Sequence, residues 1–459
     1  MSLDGDPIAL DLLLTGCQVV CFDQGNTIIE NGALGILGNS IAWLGKASDR
    51  LPVARQILAA PDTIAMPGLI DCHVHTAQQF LHGKLQAIQR RGELRQPMWQ
   101  RYLIPFESGL TPEDVYASAL AAYAAMIRSG TTCFLEAGGP FADQMGRAAD
   151  EIGIRGRIAL STMDAQEDLP ANMRCSTAEA LRRSEQLVLR WQHHPRVNAW
   201  LSLRQIMVNS DELRMGMREL SHALATPIHT HLAEGTHEVE YSIARWGVRP
   251  VEYLEQSQCL DHYIHAAHSV LLSPQEVDLY AQRDVSACHC ALNNYRIGVP
   301  RVVEMMRRGI RLGFGTDGAA TRASLDMFQV LHGTVLGQQA VAGTPYHFDL
   351  PVSHEQILTQ ALRGGAACAR LGDCLGSLEI GKRADIVLVG TGDPDQFPVV
   401  DPLITLAEST VGRDVQTVII DGRIVLRDGQ LTTVDLAPMQ AHLRSQYQRL
   451  MQRYDEAIR

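Results

Sequence analysis

The sequence predicts a parallel (β/α)8 TIM barrel joined to a small β-sandwich that both ends of the chain build together. Between residues 63 and 375, eight short apolar runs alternate with helical patterns, which is typical of a parallel barrel. Residues 1–62 and 376–435 instead contain short strand-forming runs punctuated by glycine and asparagine. We therefore expect the barrel at 63–375, the two parts of the sandwich at 1–62 and 376–435, and a solvated helix at 436–459.

The predicted elements follow in chain order. The N-terminal part carries the strand-like runs DLLLTGCQVVCF and GALGILGNSIAWLG, and the C-terminal part carries DGR and DGQ hairpin turns between apolar runs. The clearest barrel helix has Thr111 as its N-cap, Pro112 at its first position and Gly130 at its end. The eight apolar runs, in order, are TIAMPGLIDCHVH, TTCFLEA, GRIALST, VNAWLSL, TPIHTHLAE, HYIHAAHSV, DVSACHC and IRLGFGTDG.

Composition excludes several classes of protein. The chain has 459 residues and a net charge of −11, which disfavours a nucleic-acid partner because phosphate binding needs clustered cations. It has no apolar run long enough to span a membrane and no basic leader before an apolar stretch. The ten cysteines form no CxxC pair, although Cys288 and Cys290 flank His289 and leave a soft metal site open as an alternative to simple burial. We expect a cytoplasmic protein that does not bind membranes.

Histidines at the ends of two predicted strands indicate a metal site. His73 and His75 are two residues apart, so both imidazoles project from the same strand face. His231 ends the fifth run, and Glu234 follows three residues later, where a carboxylate suits proton transfer. His229 shares the face of His231 and competes for its role, but His231 lies nearer the end of the strand. Neutral imidazoles suit a borderline-soft ion such as zinc.

Two more candidates end the sixth and the eighth run, where His268 and Asp317 stand. An aspartate before glycine is commonly only a turn residue. Here, however, the candidate groups follow strands one, five, six and eight, and active sites of parallel barrels lie at the C-terminal ends of the strands. The pattern therefore predicts one catalytic site.

With these motifs the chain resembles the amidohydrolase superfamily, and within it the aminohydrolase branch of nucleoside deaminases, guanine deaminase and triazine hydrolases. The resemblance covers nearly the whole length and rests on PGLIDCHVH, HLAE, AHSV, HCALNN, GTDGAA and GSLEIGKRADIVLV. It implies one divalent metal ion, zinc before iron or manganese, and the ligands His73, His75, His231 and Asp317. In HCALNN, Ala291 and Asn293 replace the proline and serine of the branch's HCPxSN pattern, which leaves the role of that segment open.

The resemblance also implies the chemistry. Asp317 would take a proton from the attacking water, and His268 would hold that water. Glu234 would protonate a ring nitrogen and then the departing ammonia. Binuclear members of the superfamily use a carbamylated lysine, or sometimes a glutamate, as a metal bridge. The only lysines are Lys46, Lys84 and Lys382, so strands two to eight offer none, and Glu136 at the end of strand two is the one remaining candidate. We expect a single ion.

Two residues narrow the substrate. Gln78 and Arg204 resemble the glutamine and arginine with which guanine deaminase binds its purine. Nucleoside deaminases of the branch tend to carry histidine at the position of Arg204. An amide and a planar guanidinium suit a ring that carries a carbonyl oxygen. The prediction is a guanine- or pterin-like 2-amino-4-oxo ring such as guanine, 8-oxoguanine or isoxanthopterin. The alternatives are an s-triazine amino- or chlorohydrolase and, more distantly, a non-catalytic scaffold.

Other residues near the predicted mouth have less specific interpretations. Trp99 and Glu107 resemble the branch's segment that closes over the ligand, where Trp99 stacks on a flat ring or is simply a structural tryptophan. Arg204 and Gln78 themselves have an alternative interpretation, a salt-bridged barrel residue and an ordinary polar loop residue. The polar, arginine-rich residues 84–97 predict a mobile loop. A homodimer is implied by the resemblance.

Overall fold

The structure, a computed structural model, describes residues 9–165, 168–322, 324–342 and 352–457. Five strands precede the barrel: β1 (Leu10–Val20), β2 (Ile28–Leu37), β3 (Ser40–Lys46), β4 (Ala54–Ala59) and β5 (Thr63–Pro67). β1 is the centre of this group, because it pairs with β2 in antiparallel fashion and with β4 and β5 in parallel fashion. Its alternate residues Leu12 and Leu14 are buried with Leu34 and Ile36 of β2 in one apolar core.

Eight parallel strands form the barrel that the sequence predicts, and each pairs with the next in chain order. The first strand is tied to the segment just after the last strand by the Asp71 side chain: its carboxylate accepts from the backbone N–H and the hydroxyl of Thr316, at 3.0 and 2.6 Å. The strands are β6 (Leu69–Val74), β7 (Thr131–Glu136), β8 (Arg155–Ala159), β9 (Val197–Leu203), β10 (Ile228–Leu232), β11 (Ile264–His268), β12 (Ser286–His289) and β13 (Leu312–Phe314).

The second β-rich region completes the first. Its strands are β14 (Ile386–Gly390), β15 (Val415–Ile420), β16 (Arg423–Arg427) and β17 (Gln430–Leu431). β14 pairs antiparallel with β5, so hydrogen bonds join the strands of both chain ends into one sheet that branches at β1. This confirms a composite β domain built from both ends.

The run TIAMPGLIDCHVH contributes to both domains. Its first part is β5 in the composite sheet, and its second part is β6 in the barrel, so the barrel begins at Leu69 rather than at residue 63. Gly68 separates the two strands. A Cβ at Gly68 would lie 2.0 Å from Oγ1 of Thr132, so a residue with a side chain has no room where the chain passes from one sheet to the other.

A buried ion cluster joins the barrel to the composite sheet. Arg155, at the start of β8, donates to both carboxylate oxygens of Asp385 at 2.8 and 3.0 Å and also to Asp421 at 3.0 Å. The Arg155 side chain is 5 % exposed. Because breaking a buried ion pair leaves an uncompensated charge, this contact fixes the composite sheet on the N-terminal end of the barrel, opposite the expected site.

Helices surround the barrel as predicted, and the helix Pro112–Arg128 has the expected cap. The Thr111 hydroxyl accepts from the Asp114 backbone N–H, the Asp114 carboxylate accepts from the Thr111 N–H, and Gly130 after the helix has a φ of +86°.

Among the described residues, no helix combines the length and apolar character that a bilayer crossing needs. The α-helices are Lys84–Arg90, Ile104–Ser108, Pro112–Arg128, Ala142–Ile152, Thr177–Trp191, Asp211–Leu224, Thr236–Trp246, Pro250–Gln256, Pro274–Gln282, Ala291–Asn294, Val302–Arg307, Ala319–Arg322, Met327–Ala342, His354–Thr359, Gly365–Cys368, Pro402–Ile404 and Leu436–Ala457. Short helical segments of other pitch are Thr76–Leu81, Trp99–Leu103, Ala171–Met173, Ile206–Val208, Gln360–Gly364, Thr405–Ser409 and Gly412–Asp414.

Residues 84–97, expected to be a loop, begin with the helix Lys84–Arg90. Leu85 and Ile88 lie one turn apart and are both buried, which explains why this polar segment forms a helix. The Gln86 amide donates to the Thr321 carbonyl at 2.8 Å, so the helix is tied to the short helix Ala319–Arg322 that follows β13.

The helix Leu436–Ala457 covers the segment Trp99–Ser108 instead of being fully solvated. The buried Tyr454 donates to the Tyr102 carbonyl at 3.2 Å and packs its ring against that of Phe106 at a centroid distance of 5.3 Å. Lys84 also bonds Asp455 at 2.6 Å. The C-terminal helix thereby holds the segment that carries Glu107 against the mouth of the barrel.

Candidate active site

Five side chains from four barrel strands meet at the C-terminal end of the barrel. They are His73 of β6, His75 just after β6, His231 of β10, His268 of β11 and Asp317 just after β13. Their potential ligand atoms form two sets, and within each set all atoms lie within 4.8 Å of one another. One set is His73, His231 and His268; the other is His73, His75 and Asp317. The structure thus brings together every predicted ligand, and their individual roles stay predictions.

The hydrogen bonds of this cluster fit a bound cation. His231 Nδ1 lies 2.7 Å from the Arg204 carbonyl oxygen, which can only accept, so Nδ1 carries the proton and Nε2 has a lone pair. That Nε2 faces His75 Nε2 at 3.0 Å. His73 Nε2 is buried without a hydrogen-bond partner and lies 3.3 Å from Asp317 Oδ1. Converging, buried nitrogen and oxygen acceptors are the environment that a divalent metal ion satisfies.

The protonation of these histidines suits metal binding. Burial, followed by the charges of neighbouring histidines, lowers the pKa of His73, His75 and His231 well below the usual 6.5. Neutral imidazoles are the form that binds metal ions. The Asp317 carboxylate is oriented by Thr321, whose hydroxyl donates to Oδ2 at 3.1 Å, and this leaves Oδ1 on the side of His73 and His75.

His229, the competing candidate on β10, lies behind the cluster. Its Nε2 is 2.8 Å from His73 Nδ1, so it contacts the nitrogen of His73 that faces away from Asp317. Among the described residues, the sets of potential metal ligands do not include His229. The geometry favours His231 as the ligand and gives His229 the position of a supporting residue that orients His73.

Glu136, the remaining candidate for a metal bridge, is engaged elsewhere. Its carboxylate accepts from the backbone N–H of Thr76 at 3.2 and 3.3 Å and from the Thr76 hydroxyl. Burial raises the pKa of Glu136 to about 8. It therefore anchors the turn after β6, and the part of the chain that the structure describes offers no glutamate within its ligand sets.

The cysteines beside His289 do not form a soft metal site with it. Cys288 and Cys290 belong to an apolar cluster inside the barrel, with their sulfur atoms 3.9 Å apart. Neither occurs in the ligand sets found among the described residues. His289 is directed instead at Asn294, whose Oδ1 lies 3.0 Å from His289 Nδ1.

Glu234 stands in the mouth of the barrel, where its side chain is 25 % exposed. Its Oε1 lies 3.9 Å from His268 Nε2, and its Oε2 accepts from the Gln205 amide at 3.0 Å. The Glu234 backbone N–H donates to Glu238 at 2.9 Å. Burial of most of the carboxyl raises the pKa of Glu234, which favours a group that can carry a proton near neutral pH.

Gln78 and Arg204, the predicted substrate-binding residues, both bond to the Glu107 carboxylate. Arg204 donates through both terminal nitrogens to the Glu107 carboxylate, at 2.6 and 3.3 Å, and the Gln78 amide donates to it at 2.6 Å. All three side chains are buried. Because Gln78 directs its NH2 group to Glu107, its Oε1 remains without a hydrogen-bond partner. The arginine is therefore a salt-bridged residue as well as a candidate for substrate binding.

Trp99 is half-buried and packs beside Ile104, Met163 and Val208 in a small apolar cluster. This packing accounts for part of its surface, and its stacking on a substrate ring stays a prediction. Gln205 and Asn294, which hold Glu234 and His268, were not singled out from the sequence. Gln205 follows Arg204 at the end of β9, and that position at a strand end is the signal by which it could have been found.

Known proteins resemble this chain in both sequence and structure. A profile of the Amidohydrolase family matches residues 64–425. The chain belongs to the amidohydrolase family. A relative from Thermoanaerobacter pseudethanolicus, named 5-methylthioadenosine/S-adenosylhomocysteine deaminase, is 28 % identical to this amidohydrolase over 97 % of the chain and 100 % of its own length.

Solved structures agree with this assignment. An adenosine deaminase from Xanthomonas campestris with bound zinc superimposes with a TM-score of 0.88 and 27 % identity, covering 97 % of this chain and 100 % of the other. An atrazine chlorohydrolase from Arthrobacter aurescens, complexed with zinc, has the same fold at a TM-score of 0.85, 23 % identity and coverage of 95 % and 100 %. The protein is a metal-dependent aminohydrolase, a hydrolytic deaminase of the amidohydrolase family.

Proposed function

We propose that this amidohydrolase removes the amino group from a guanine- or pterin-like 2-amino-4-oxo ring, with one zinc ion held by His73, His75, His231 and Asp317. The observation that carries the substrate class is the buried group of Arg204, Gln78 and Glu107 beside the cluster. The reaction adds water to the ring carbon that bears the amine, breaks the carbon–nitrogen bond, and releases ammonia and a ring carbonyl.

The donor set supports a zinc ion before iron or manganese. Three imidazole nitrogens and one carboxylate oxygen are ligands that zinc accepts readily. A divalent ion in this position supplies Lewis-acid activation, which lowers the pKa of water towards 7. Glu136 is engaged by Thr76, and no lysine lies on strands β7 to β13. These two facts support a single ion.

The proton transfers are assigned to two carboxylates. Asp317 takes a proton from the attacking water, because its Oδ1 stands on the cluster side while Thr321 holds Oδ2. Glu234 carries a proton to the ring nitrogen next to the reacting carbon and later to the amine, which leaves as ammonia. Its raised pKa and its partly exposed position in the mouth support this role. A well-placed acid or base of this kind contributes about 10²- to 10⁴-fold.

Gln78 and Arg204 suit the edge of a lactam. The free Oε1 of Gln78 is an acceptor for a ring N–H, and the guanidinium of Arg204 is a donor for a ring carbonyl oxygen. Glu107 neutralises the arginine, so an uncharged ring can bind without leaving a buried cation uncompensated. An adenine ring lacks the carbonyl that Arg204 would bind.

Adenine nucleosides are the second candidate, because the relative described above is named for 5-methylthioadenosine and S-adenosylhomocysteine. The Glu107 carboxylate offers acceptor lone pairs that a sugar diol would use. Triazines are the third candidate, since they are flat amino-substituted rings of similar size. We rank them below lactam rings because neither a triazine nor adenine explains an arginine at the end of β9.

Ammonia release from a panel of rings tests the proposal. The panel contains guanine, 8-oxoguanine, isoxanthopterin, adenosine, 5-methylthioadenosine and an amino-triazine, assayed with zinc-loaded protein and with Glu234→Gln protein as the blank. Turnover of a 2-amino-4-oxo ring supports the proposal. Turnover confined to adenine nucleosides or to triazines contradicts the substrate class, and no turnover of any ring contradicts the activity.

A further inference from the structure

We propose that Asn294 is a positioning residue that fixes His268 as the tautomer with its proton on Nε2, so that this N–H points into the site as a hydrogen-bond donor. Asn294 stands at the end of the HCALNN segment, for which the sequence suggested no role. The inference deepens the proposed function, since it rests on His268 acting in the same site.

The orientation of the Asn294 amide follows from the backbone. The Cys290 backbone N–H donates to Asn294 Oδ1 at 2.8 Å. A backbone N–H can only donate, so the atom that faces it must be the amide oxygen. The same oxygen lies 3.0 Å from His289 Nδ1 and accepts from it. The NH2 group of Asn294 is thereby turned to the opposite side, towards β11.

The oriented amide then determines the tautomer of His268. Asn294 Nδ2 lies 3.1 Å from His268 Nδ1. An amide NH2 only donates, so His268 Nδ1 must be the nitrogen with the lone pair, and the proton of the neutral ring is on Nε2. His268 Nε2 is buried, has no hydrogen-bond partner among the described residues, and lies on the side of Glu234 at 3.9 Å.

This assignment separates His268 from the neighbouring ligands. A ring nitrogen of His268 lies within 4.8 Å of ligand atoms of His73 and His231, close enough for His268 to bind the same ion as a third ligand. A nitrogen that carries a proton cannot donate its lone pair to a cation. Asn294 therefore keeps His268 out of the ligand set and reserves its N–H for an oxygen atom bound in the site, which is what the attacking water or the ring carbonyl presents.

The backbone supports a fixed direction for the ring. His268 has a φ of +71° and Ser269 a φ of +50°, both in the left-handed region that residues with side chains seldom adopt. The strand end therefore turns the ring into the site at a conformational cost, and Asn294 fixes which nitrogen faces inward. The replacements at Ala291 and Asn293 leave these hydrogen bonds intact, since Asn294 makes them itself.

Nitrogen-15 NMR of histidine-labelled protein tests the tautomer directly. We compare the zinc-loaded wild type with His268→Gln, whose missing signals assign the ring. We expect the wild-type His268 signals to show a proton on Nε2 and a bare Nδ1. A proton on Nδ1 with a bare Nε2 overturns the proposal. This measurement needs no substrate, so it is independent of whether the proposed function is right.

Asn294→Asp reverses the contact with almost no change in shape. A carboxylate still accepts from the Cys290 N–H, but its second oxygen can only accept from His268, which moves the proton to Nδ1. We expect the reversed NMR signature, and kcat lower by about 10- to 100-fold with a smaller change in KM, the usual cost of losing a supporting residue. Asn293→Asp is the matched control, because Asn293 makes no side-chain hydrogen bond in the described part of the chain and its substitution should leave the tautomer unchanged. An unchanged His268 tautomer in Asn294→Asp overturns the proposal.

Discussion

Arg204 Nη1 lies 2.6 Å from Oε2 of Glu107, and the side chains are only 4 % and 1 % exposed. The pair joins the end of β9 to the segment that covers the mouth of the barrel. Two charges at this depth stabilise each other only as a pair, because removing one leaves the other uncompensated in a medium of low dielectric constant. The pair therefore contributes to the fold and to the shape of the proposed substrate pocket.

We predict that Arg204→Met lowers the free energy of unfolding by about 3–5 kcal/mol, the usual cost of breaking a buried ion pair. The double substitution Arg204→Met with Glu107→Gln should recover most of that loss, because no buried charge is then left alone. Chemical denaturation of the two single variants and the double variant measures this. Additive losses in the double variant would show that the two side chains do not act as a pair.

The same variants test substrate binding. Arg204→Met should weaken kcat/KM for rings with a carbonyl group by about 1–3 kcal/mol, the scale of one hydrogen bond to a charged group. The double variant should keep this defect even though its stability recovers. Recovery of kcat/KM together with stability would assign Arg204 a purely structural role.

Glu234→Gln should lower kcat by about 10²- to 10⁴-fold, because the amide cannot carry a proton. The bound metal should remain at the wild-type level, since Glu234 lies outside the sets of potential ligands among the described residues. Metal analysis and steady-state kinetics measure the two quantities on the same samples. Glu240→Gln, an exposed position six residues further on, is the control. Loss of the metal with Glu234→Gln would contradict the shuttle role.

Removal of the metal ion by a chelator should abolish turnover and lower Tm, and added zinc should restore both. Binding of a ligand to the folded state alone adds about 2.7 kcal/mol when its concentration is 100 times Kd. His75→Ala and Asp317→Ala should lose the increase in Tm on zinc addition, whereas the exposed His82→Ala should keep it. A zinc-dependent shift of equal size in all three variants would place the ion elsewhere.

Stability should fall as the pH rises from about 4.5 to about 8 because of Glu238, which is 2 % exposed. Burial raises its pKa from 4.5 to about 8, so the folded state favours the protonated carboxyl. This stabilising contribution is complete below the unfolded pKa of about 4.5 and is lost as the pH rises through about 8, at up to about 1.4 kcal/mol per pH unit. Glu238→Gln should flatten that slope in denaturation curves between pH 5 and 8. An unchanged slope would show that the carboxyl ionises freely in the fold.

The sequence predicted the barrel and the cluster because both follow local rules. Strand alternation places His73 and His75 on one face, and a parallel barrel collects strand ends at one edge. The ion pair between Glu107 and Arg204 was beyond such rules, since 97 residues separate the partners and no local pattern relates them. The helix Lys84–Arg90 was missed because only Leu85 and Ile88 mark its buried face. The division of one apolar run at Gly68 depends on Thr132, which belongs to another strand.

The late position of Tyr454 in the chain has a consequence for biosynthesis. A ribosome that has finished the barrel strands has not yet made β14, the partner of β5, or the helix that contacts Tyr102 and Phe106. The nascent enzyme therefore carries a complete set of potential ligands before it has a closed mouth. A chain that ends before residue 436 would contain every potential ligand but would lack the helix that supports the segment with Glu107. We expect such a truncated protein to bind the ion and to have lost activity.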